Sequence, residues 1–371
     1  MSEQADPSEE DLDELIAQKR PDSDDEIRIV FLGNPESGKS VLAALLKHRL
    51  VSSWIPMTNG KMRAAVVRGH ETVNEIIGLL RRGRFPLTTL PTDFPKLEVD
   101  LEDLRGRAST LRLFMQDMSG EVYRGLFVKE SASHKIMLHR MLTGGAEHVV
   151  FATKYVIVVD CSVKDRWIED SASIATLVGN LRYASNRVHG GGNQKMSTRI
   201  AIVFTKADRL LPGEREKPAD ALAREYPDLL NSLERYCEKD SYRFFRMYVS
   251  SKEETDDEYE ARVRRERAES RKRFKKDYDA QNAQNQKNIE IEKENVFTQA
   301  KQEGKSDDDA RKAAYAKAER LQKKFDQKFW STHKSGSPEK KTWIVKQPLD
   351  YPGLEYDSLI SWLLNTDGVW K

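Results

Sequence analysis

Apolar positions along this chain fall into distinct regimes. Three short runs, Ile27–Leu32, Tyr155–Val159 and Ile200–Phe204, are almost continuously apolar and rich in β-branched residues. Such runs predict strands buried on both faces, as in a parallel sheet covered by helices. Between and around them lie segments with helical spacing: Val41–Lys47, His70–Arg82, about Arg166–Arg187 and about Pro218–Lys239. In the second of these, Val73, Ile76, Ile77, Leu79 and Leu80 form one face. Leu97–Leu101 alternates as a half-buried strand, Arg105–Arg107 reads as a turn, and Leu111–Met115 as the returning strand of a hairpin. A helix is expected from about Val122 to Met141, and another strand at Phe244–Val249. Strands alternating with helices in this order predict an α/β, doubly wound fold on a mostly parallel sheet.

The pattern breaks in two places. Residues 1–26 are acidic and poor in large apolar residues, which predicts a disordered tail. The alternative reading is that Ser8 caps a short helix, with Leu12, Leu15 and Ile16 on one face, that docks a partner. From Glu253 to about Lys341 the large apolar core vanishes and Glu, Lys, Arg, Gln and Ala dominate. Gly304 followed by Ser306–Asp309 reads as a helix stop and a freshly capped start. Ala314, Ala318, Leu321, Phe325 and Phe329 recur at helical spacing after it, and Tyr259, Val263, Phe274, Tyr278, Ile289 and Val296 make a thinner stripe before it. Two long helices folded back on each other are expected. Apolar patterning returns at Trp343–Val345 and in a last helix with Leu359, Ile360, Trp362, Leu363 and Leu364. The expected organisation is a tail (1–26), a core domain (27–252 plus 342–371) and an inserted helical hairpin (253–341).

Composition changes this picture little. Charged residues make up 33% of the chain and hydrophobic ones 38%, but net charge is only +2, so nothing global argues for nucleic acid or an anionic membrane. The basic run Arg262–Lys276 is interspersed with acidic residues and reads as a solvated helix face. The two cysteines, Cys161 and Cys237, have no paired spacing, which fits a reducing compartment. No apolar run approaches the length of a spanning helix and the N-terminus is acidic, so a soluble cytoplasmic protein without a membrane segment is expected.

The chemistry sits at the strand ends. Gly33-Asn34-Pro35-Glu36-Ser37-Gly38-Lys39-Ser40 reads G-x-x-x-x-G-K-S, between a strand and a helix that begins before Val41. In that setting unpaired backbone N–H groups and the positive end of a helix dipole face an anion. Lys39 would reach the β- and γ-phosphates, and Ser40 would offer its hydroxyl to Mg²⁺. Asp117-Met118-Ser119-Gly120-Glu121 follows the hairpin's second strand, as a carboxylate in a magnesium shell and a γ-phosphate-sensing glycine would. Thr205-Lys206-Ala207-Asp208 fits [N/T]-K-x-D, in which a carboxylate accepts from guanine N1–H and its exocyclic amine. Ser250-Ser251-Lys252, at another strand end, resembles the S-A-K turn whose amide meets the base oxygen.

Taken in order, GNPESGKS, GRFPLTTLPT, DMSG, TKAD and SSK resemble the translation-factor-related, Ras-like GTPases, over about 27–252 plus 342–371. The threonine loop after an extra helical segment, and Gly-Glu after the aspartate, resemble bacterial double-GTPase proteins. The resemblance implies that Lys39 and the amides of Glu36 to Ser40 hold phosphates. It implies a Mg²⁺ site of Ser40, Asp117 through water, and Thr89, with Thr88 and Thr92 as rivals. It makes Gly120 the γ-phosphate sensor and Lys206 and Asp208 the selectors of GTP and GDP. Glu121 stands where many relatives have a water-orienting Gln, so hydrolysis is expected to be slow or to use another group. Arg84 or Arg82 would then serve as an arginine finger in cis. Two other readings remain open: a GTP-binding scaffold that hydrolyses little, and an ATPase in which TKAD is accidental. Protein partners at the switch loops, the hairpin or the acidic tail are expected.

Overall fold

The computed structural model describes residues 7–21, 27–57, 60–68, 71–86, 96–103, 108–115, 133–189, 194–332, 343–346 and 349–364. The chain divides into two compact units, Met1–Lys252 with Ile344–Lys371, and Glu253–Trp343.

The first unit is built on an eight-stranded sheet of order β2-β3-β4-β5-β1-β6-β7-β8. The strands are β1 (Ile27–Leu32), β2 (Ile55–Met57), β3 (Gly60–Arg68), β4 (Lys96–Asp103), β5 (Ala108–Met115), β6 (Lys154–Asp160), β7 (Arg199–Thr205) and β8 (Tyr242–Arg246). From β5 to β8 every pairing is parallel, with Ile29 facing Leu113 on one side and Lys154 on the other. From β2 to β5 every pairing is antiparallel, and β4–β5 is the expected hairpin. Alternate residues of the parallel strands serve opposite cores, as the two-residue period of a strand requires. Val30, Leu32, Tyr155, Ile157, Val159, Ile200, Ile202 and Phe204 join one core, with the helices Glu9–Lys19, His134–Thr143, Trp167–His189 and Pro227–Tyr236. Ile27, Ile29, Phe31, Val156, Val158, Ala201 and Val203 join the other, with the helices Lys39–Ser52, Glu71–Arg81 and Gly353–Leu364. Both faces are covered, so the α/β doubly wound expectation holds, with an antiparallel wing added at one edge.

Three expectations need correction. Residues 9–19 of the expected disordered tail form a helix, capped by Ser8 Oγ accepting from Asp11 N at 3.1 Å. Leu12 and Ile16 are buried in the first core beside Met137 and Met141, so the helix docks on its own chain. Its acidic face is matched by Lys135 and Arg187, which pair with Glu9 at 2.5 and 2.7 Å. Second, β2 and β3 were not foreseen. Pro56 lacks an N–H and is tolerated because β2 is the sheet edge, and β3 is interrupted by a shift of register between Ala64 and Val66. Third, the long helix expected at 218–239 is two, Ala219–Ala223 and Pro227–Tyr236. Pro227 cannot continue a helix and instead takes the first turn of a new one. Of the helix expected at 122–141, residues up to 132 lie outside the described ones, and His134–Thr143 is helical with Ser133 as its cap.

In the second unit, the helices Asp256–Gln302 and Asp307–Thr332 pack together across a turn where Gly304 has φ +80°. Thr255 with Glu258 closes a capping box on the first, and Ser306 Oγ accepts from Asp309 N at 3.2 Å on the second. Ile289, Ala300, Ala310, Ala314 and Phe329 are buried, and the Tyr278 ring meets Phe325 and Phe329 at 5.8 and 5.2 Å between centroids. A separate two-stranded sheet pairs β9 (Ser251–Glu253) with β10 (Trp343–Val345).

Candidate functional site

The parallel strands β1, β6 and β7 lie side by side, and each of their carboxyl ends carries a polar segment. Open α/β sheets bind ligands at that edge. After β1 the chain turns through Gly33 (φ +147°), Glu36 (φ +62°) and Gly38 (φ +92°). Gly33 passes so close to β6 that a Cβ there would stand 2.3 Å from Val158 O, so no other residue fits. Gly38, the N-cap of the helix Lys39–Ser52, has no side chain with which to bond the first-turn N–H groups. Repeated left-handed turns before a helix start make an anion-holding concavity of backbone N–H groups. The loop therefore fits a polyphosphate.

Lys39 is buried and its Nζ donates to Gly33 O at 3.0 Å and Asn34 O at 2.8 Å, wrapping the ammonium onto the loop that it follows. Ser40 is half-buried in the helix's first turn, with Val41 next to it. Asn34 Nδ2 donates to Asp170 Oδ1 at 2.6 Å, and Arg166 lies 3.6 Å from the same oxygen. Asp170 is buried, and that burial pushes its pKa up, with Arg166 opposing. Pro35 is half-buried, and Ser37 is buried with its Oγ unpartnered.

The second cluster follows β7. Thr205 is buried, and its hydroxyl proton lies between Ser37 O at 2.5 Å and Val159 O at 3.1 Å. It braces the phosphate loop against β7, a task within reach of a hydroxyl of this length. Lys206 adopts φ +57°, and its Nζ contacts Asp160 Oδ2 at 2.5 Å. Asp160 is held in turn by Ser162, whose N and Oγ donate to Oδ1 at 3.0 and 2.6 Å. Asp208 Oδ2 accepts from Ser251 N at 2.9 Å and Ser251 Oγ at 2.5 Å. Ser251, at the start of the segment Ser251–Glu253, thus ties that segment to the turn after β7. Cys161 is buried under this cluster, its thiol pushed up to about 12 by burial and donating to Thr205 O at 3.0 Å.

Of the expected site residues, Gly33 to Val41, Thr205, Lys206, Asp208 and Ser251 gather along this one edge. Arg84 follows the helix Glu71–Arg81 and is half-buried; its Nη2 is buried with no hydrogen-bond acceptor. Arg82 is exposed, its guanidinium lying back over Gly78. Thr88, Thr89, Thr92, Asp117, Gly120 and Glu121 lie outside the described residues. Ser40 is therefore the one expected Mg²⁺ ligand among the described residues, and these contain no cluster of three His, Cys, Asp or Glu arranged for a metal ion. Sequence reading missed Asp160, Asp170 and Arg209. Asp160 carried a usable signal, a carboxylate closing a central parallel strand. Asp170 sits in the first turn of the helix Trp167–His189 and carried none.

Residues 30–154 match the family model described as Double-GTPase 1. No curated protein matches the chain. Among solved structures the chain is similar to the Arl6 BBS3 small GTPase of Trypanosoma brucei, solved with bound GppNp, at 14% identity and a TM-score of 0.31, covering 60% of this chain and 87% of that one. It is similar to the GTP-bound Ski7 GTPase-like domain of S. cerevisiae at 16% identity and a TM-score of 0.33, covering 60% and 42%. A chain of the SRb-GTP/SRX signal recognition particle receptor complex of Chaetomium thermophilum shows 11% identity and a TM-score of 0.30, covering 60% and 89%. Among the described residues no helix is long and apolar enough to cross a membrane.

Proposed function

We propose, on the premise that this chain is a P-loop GTPase of the double-GTPase type, that it binds GTP and GDP with Mg²⁺ and hydrolyses GTP to GDP and phosphate. The observation that carries this reading is the Thr205 hydroxyl on Ser37 O at 2.5 Å. It would set the phosphate loop beside the T-K-x-D turn, the two ends that a nucleoside triphosphate has to reach. At the phosphate end, the amides of Glu36 to Ser40 and the Lys39 ammonium would hold the β- and γ-phosphates. Lys39 has three donor hydrogens, so it can exchange a loop carbonyl for a phosphate oxygen. At the other end Asp208 would accept from guanine N1–H and its amine, while the Lys206 stem lies over the ring. Ser40, with Asp117 and Thr89 from the sequence, would hold the magnesium, which neutralises charge on the phosphates when bound.

In hydrolysis a water attacks the γ-phosphorus and the bond to the β–γ bridging oxygen breaks, with no covalent intermediate. Positioning and charge stabilisation carry the rate. As a switch, the protein would order its Thr88–Thr92 and Asp117–Glu121 segments on the γ-phosphate and release them after its loss, with the helical hairpin facing protein partners. A second reading, a GTP-binding scaffold with little turnover, is favoured by Glu121 in place of Gln, because a carboxylate near the γ-phosphate is repulsive. Phosphate release over many turnovers, with Arg84→Ala and Glu121→Gln beside the native chain, separates the two. Calorimetry with Mg²⁺ tests the premise: uptake of GTP and GDP without ATP is expected, and Asp208→Asn shifts preference toward xanthine nucleotides. Equal uptake of ATP sinks it.

A further inference from the structure

The long helix Asp256–Gln302 carries its charge unevenly. Positions 264–276 hold eight basic residues and two acidic ones, whereas 277–302 hold three basic and five acidic. A solvated face of interleaved charge pairs is the expectation for this stretch, and the structure departs from it. Arg262 is paired with Glu254 at 2.7 and 3.0 Å, and Arg264 with Glu260 at 2.8 Å. Arg265, Lys272, Lys275 and Lys276 are exposed, and among the described residues they make no ion pair. Their spacing adds repulsion. Lys272 and Lys276 stand four residues apart, as do Arg271 and Lys275. Like charges at that interval oppose helix formation. The helix is fixed instead at its root, by the capping box of Thr255 with Glu258 and by the buried Glu254 on Arg262. A rod anchored in this way holds a cation excess that its own sequence does not balance.

The cations fall into two rows. Arg265, Lys272 and Lys276 form one, at intervals of seven and four residues. Arg264, Arg271 and Lys275 repeat those intervals along the other. At 3.6 residues per turn the rows lie about 100° apart around the helix axis. Between them is Ala268, which is exposed. The exposed large apolar side chains of this unit, among the described residues, are Ile291 and Tyr315, both outside the stretch. An anionic membrane would need an apolar face beside the cations. Two cation rows flanking a small side chain suit two phosphate strands flanking a groove. A helix about 10–12 Å across enters the major groove of B-form DNA, about 12 Å wide, whereas the deep, narrow groove of duplex RNA does not admit it. We propose that residues 264–276 bind the phosphate backbone of duplex DNA. The stretch is about 20 Å long and so runs beside about six phosphates of each strand. Ala268 offers the base edges no hydrogen bond, so binding is electrostatic and indifferent to sequence. It is independent of the guanine-nucleotide reading, and the chain's net charge of +2 gives no hint of it.

The test uses the full-length chain without nucleotide and a fluorescein-labelled DNA duplex of about 20 base pairs, read by anisotropy. A Kd of about 1–100 µM is expected near physiological salt. Log affinity should fall against log salt with a slope of about −3 to −4, as about four phosphates are neutralised. A duplex of scrambled sequence should bind within about twofold. The triple variant Arg265→Gln, Lys272→Gln, Lys276→Gln should bind about tenfold more weakly or worse, its slope reduced to about −1. Removing as many charges from the second helix, with Lys317→Gln, Lys323→Gln and Lys324→Gln, should change affinity less than about twofold. Gln forms helix about as well as Lys and Arg, so both variants keep their helices. A row that served only the helix would behave differently: the first triple would lower the melting temperature and leave DNA binding intact, which overturns the proposal. Equal weakening by the two triples overturns it too, by assigning binding to diffuse charge. So does tighter binding to duplex RNA, to polyglutamate, or to vesicles of equimolar phosphatidylcholine and phosphatidylserine. Absence of DNA binding at about 50 mM salt ends it outright.

Discussion

Gly33 shows how tightly a single position can be held. A side chain there would need φ +147° and would drive its Cβ to 2.3 Å from Val158 O. Gly33→Ala should therefore cost about 3 kcal/mol or more, through strain plus forced separation of the loop from β6. Denaturant unfolding measures this, and a loss below about 1 kcal/mol would mean the loop simply relaxes. Asp170 makes a different prediction. Burial raises its pKa, so the folded chain holds this proton more tightly than the unfolded chain. Its contribution to stability is complete below the ordinary carboxylate range and is lost as pH rises through the raised value. Asp170→Asn keeps an oxygen for Asn34 Nδ2 and removes the titration. The melting temperature of the native chain minus that of Asp170→Asn should fall as pH rises above the ordinary carboxylate range. A flat difference would show that Arg166 cancels the burial.

Among helices and strands, the sharpest case is the last helix, Gly353–Leu364. It is joined to the phosphate-loop helix Lys39–Ser52 by a two-pronged pair, Arg49 Nε on Asp357 Oδ1 at 2.7 Å and Arg49 Nη2 on Asp357 Oδ2 at 2.8 Å. The Asp357 side chain is 7% exposed and that of Arg49 25%, so deleting one partner strands a largely buried charge while water screens the other. Either truncation to Ala should cost about 2 kcal/mol, and a double-mutant cycle should return about 1–2 kcal/mol of coupling. Additive losses would reduce the pair to two unrelated packing contacts. The same helix buries Tyr356, Leu359, Ile360 and Leu363 in the second core, which is why the chain must come back to the sheet after its long excursion.

For the protein as a body, the two units predict separable folding. Among the described residues neither sheet-facing core contains one from 254–332, and the helical unit buries its own set around Ile289, Ala300, Ala314 and Phe329. Because β9 and β10 are paired, the strand that leaves the first unit and the strand that returns to it are neighbours. Replacing residues 256–340 with a flexible linker of about six residues should leave the first unit folded. Its GDP affinity should stay within about twofold of the intact chain. A trimmed chain with no cooperative melt would show that the first unit depends on the hairpin for its stability.

Sequence alone determined what is local in cause. The buried strands β1, β6 and β7 were legible because consecutive β-branched and apolar residues leave no solvent face. The turns of the phosphate loop were legible at Gly33 and Gly38, because few residues accept those angles. The caps at Ser8, Thr255 and Ser306 depend on neighbours three residues away, within reach of a sequence pattern. Tertiary structure decided the rest. Whether Leu12 and Ile16 would be enough to dock an acidic helix depended on Met137, Lys135 and Arg187 meeting it. That Asp160 would hold Lys206, Asp170 hold Asn34, or Arg209 rest on Phe85 depended on strand order, because each pair is separated by tens of residues and brought together only by the sheet. Periodicity and turn chemistry act along the chain. Partners are chosen across it, by which faces the core must close.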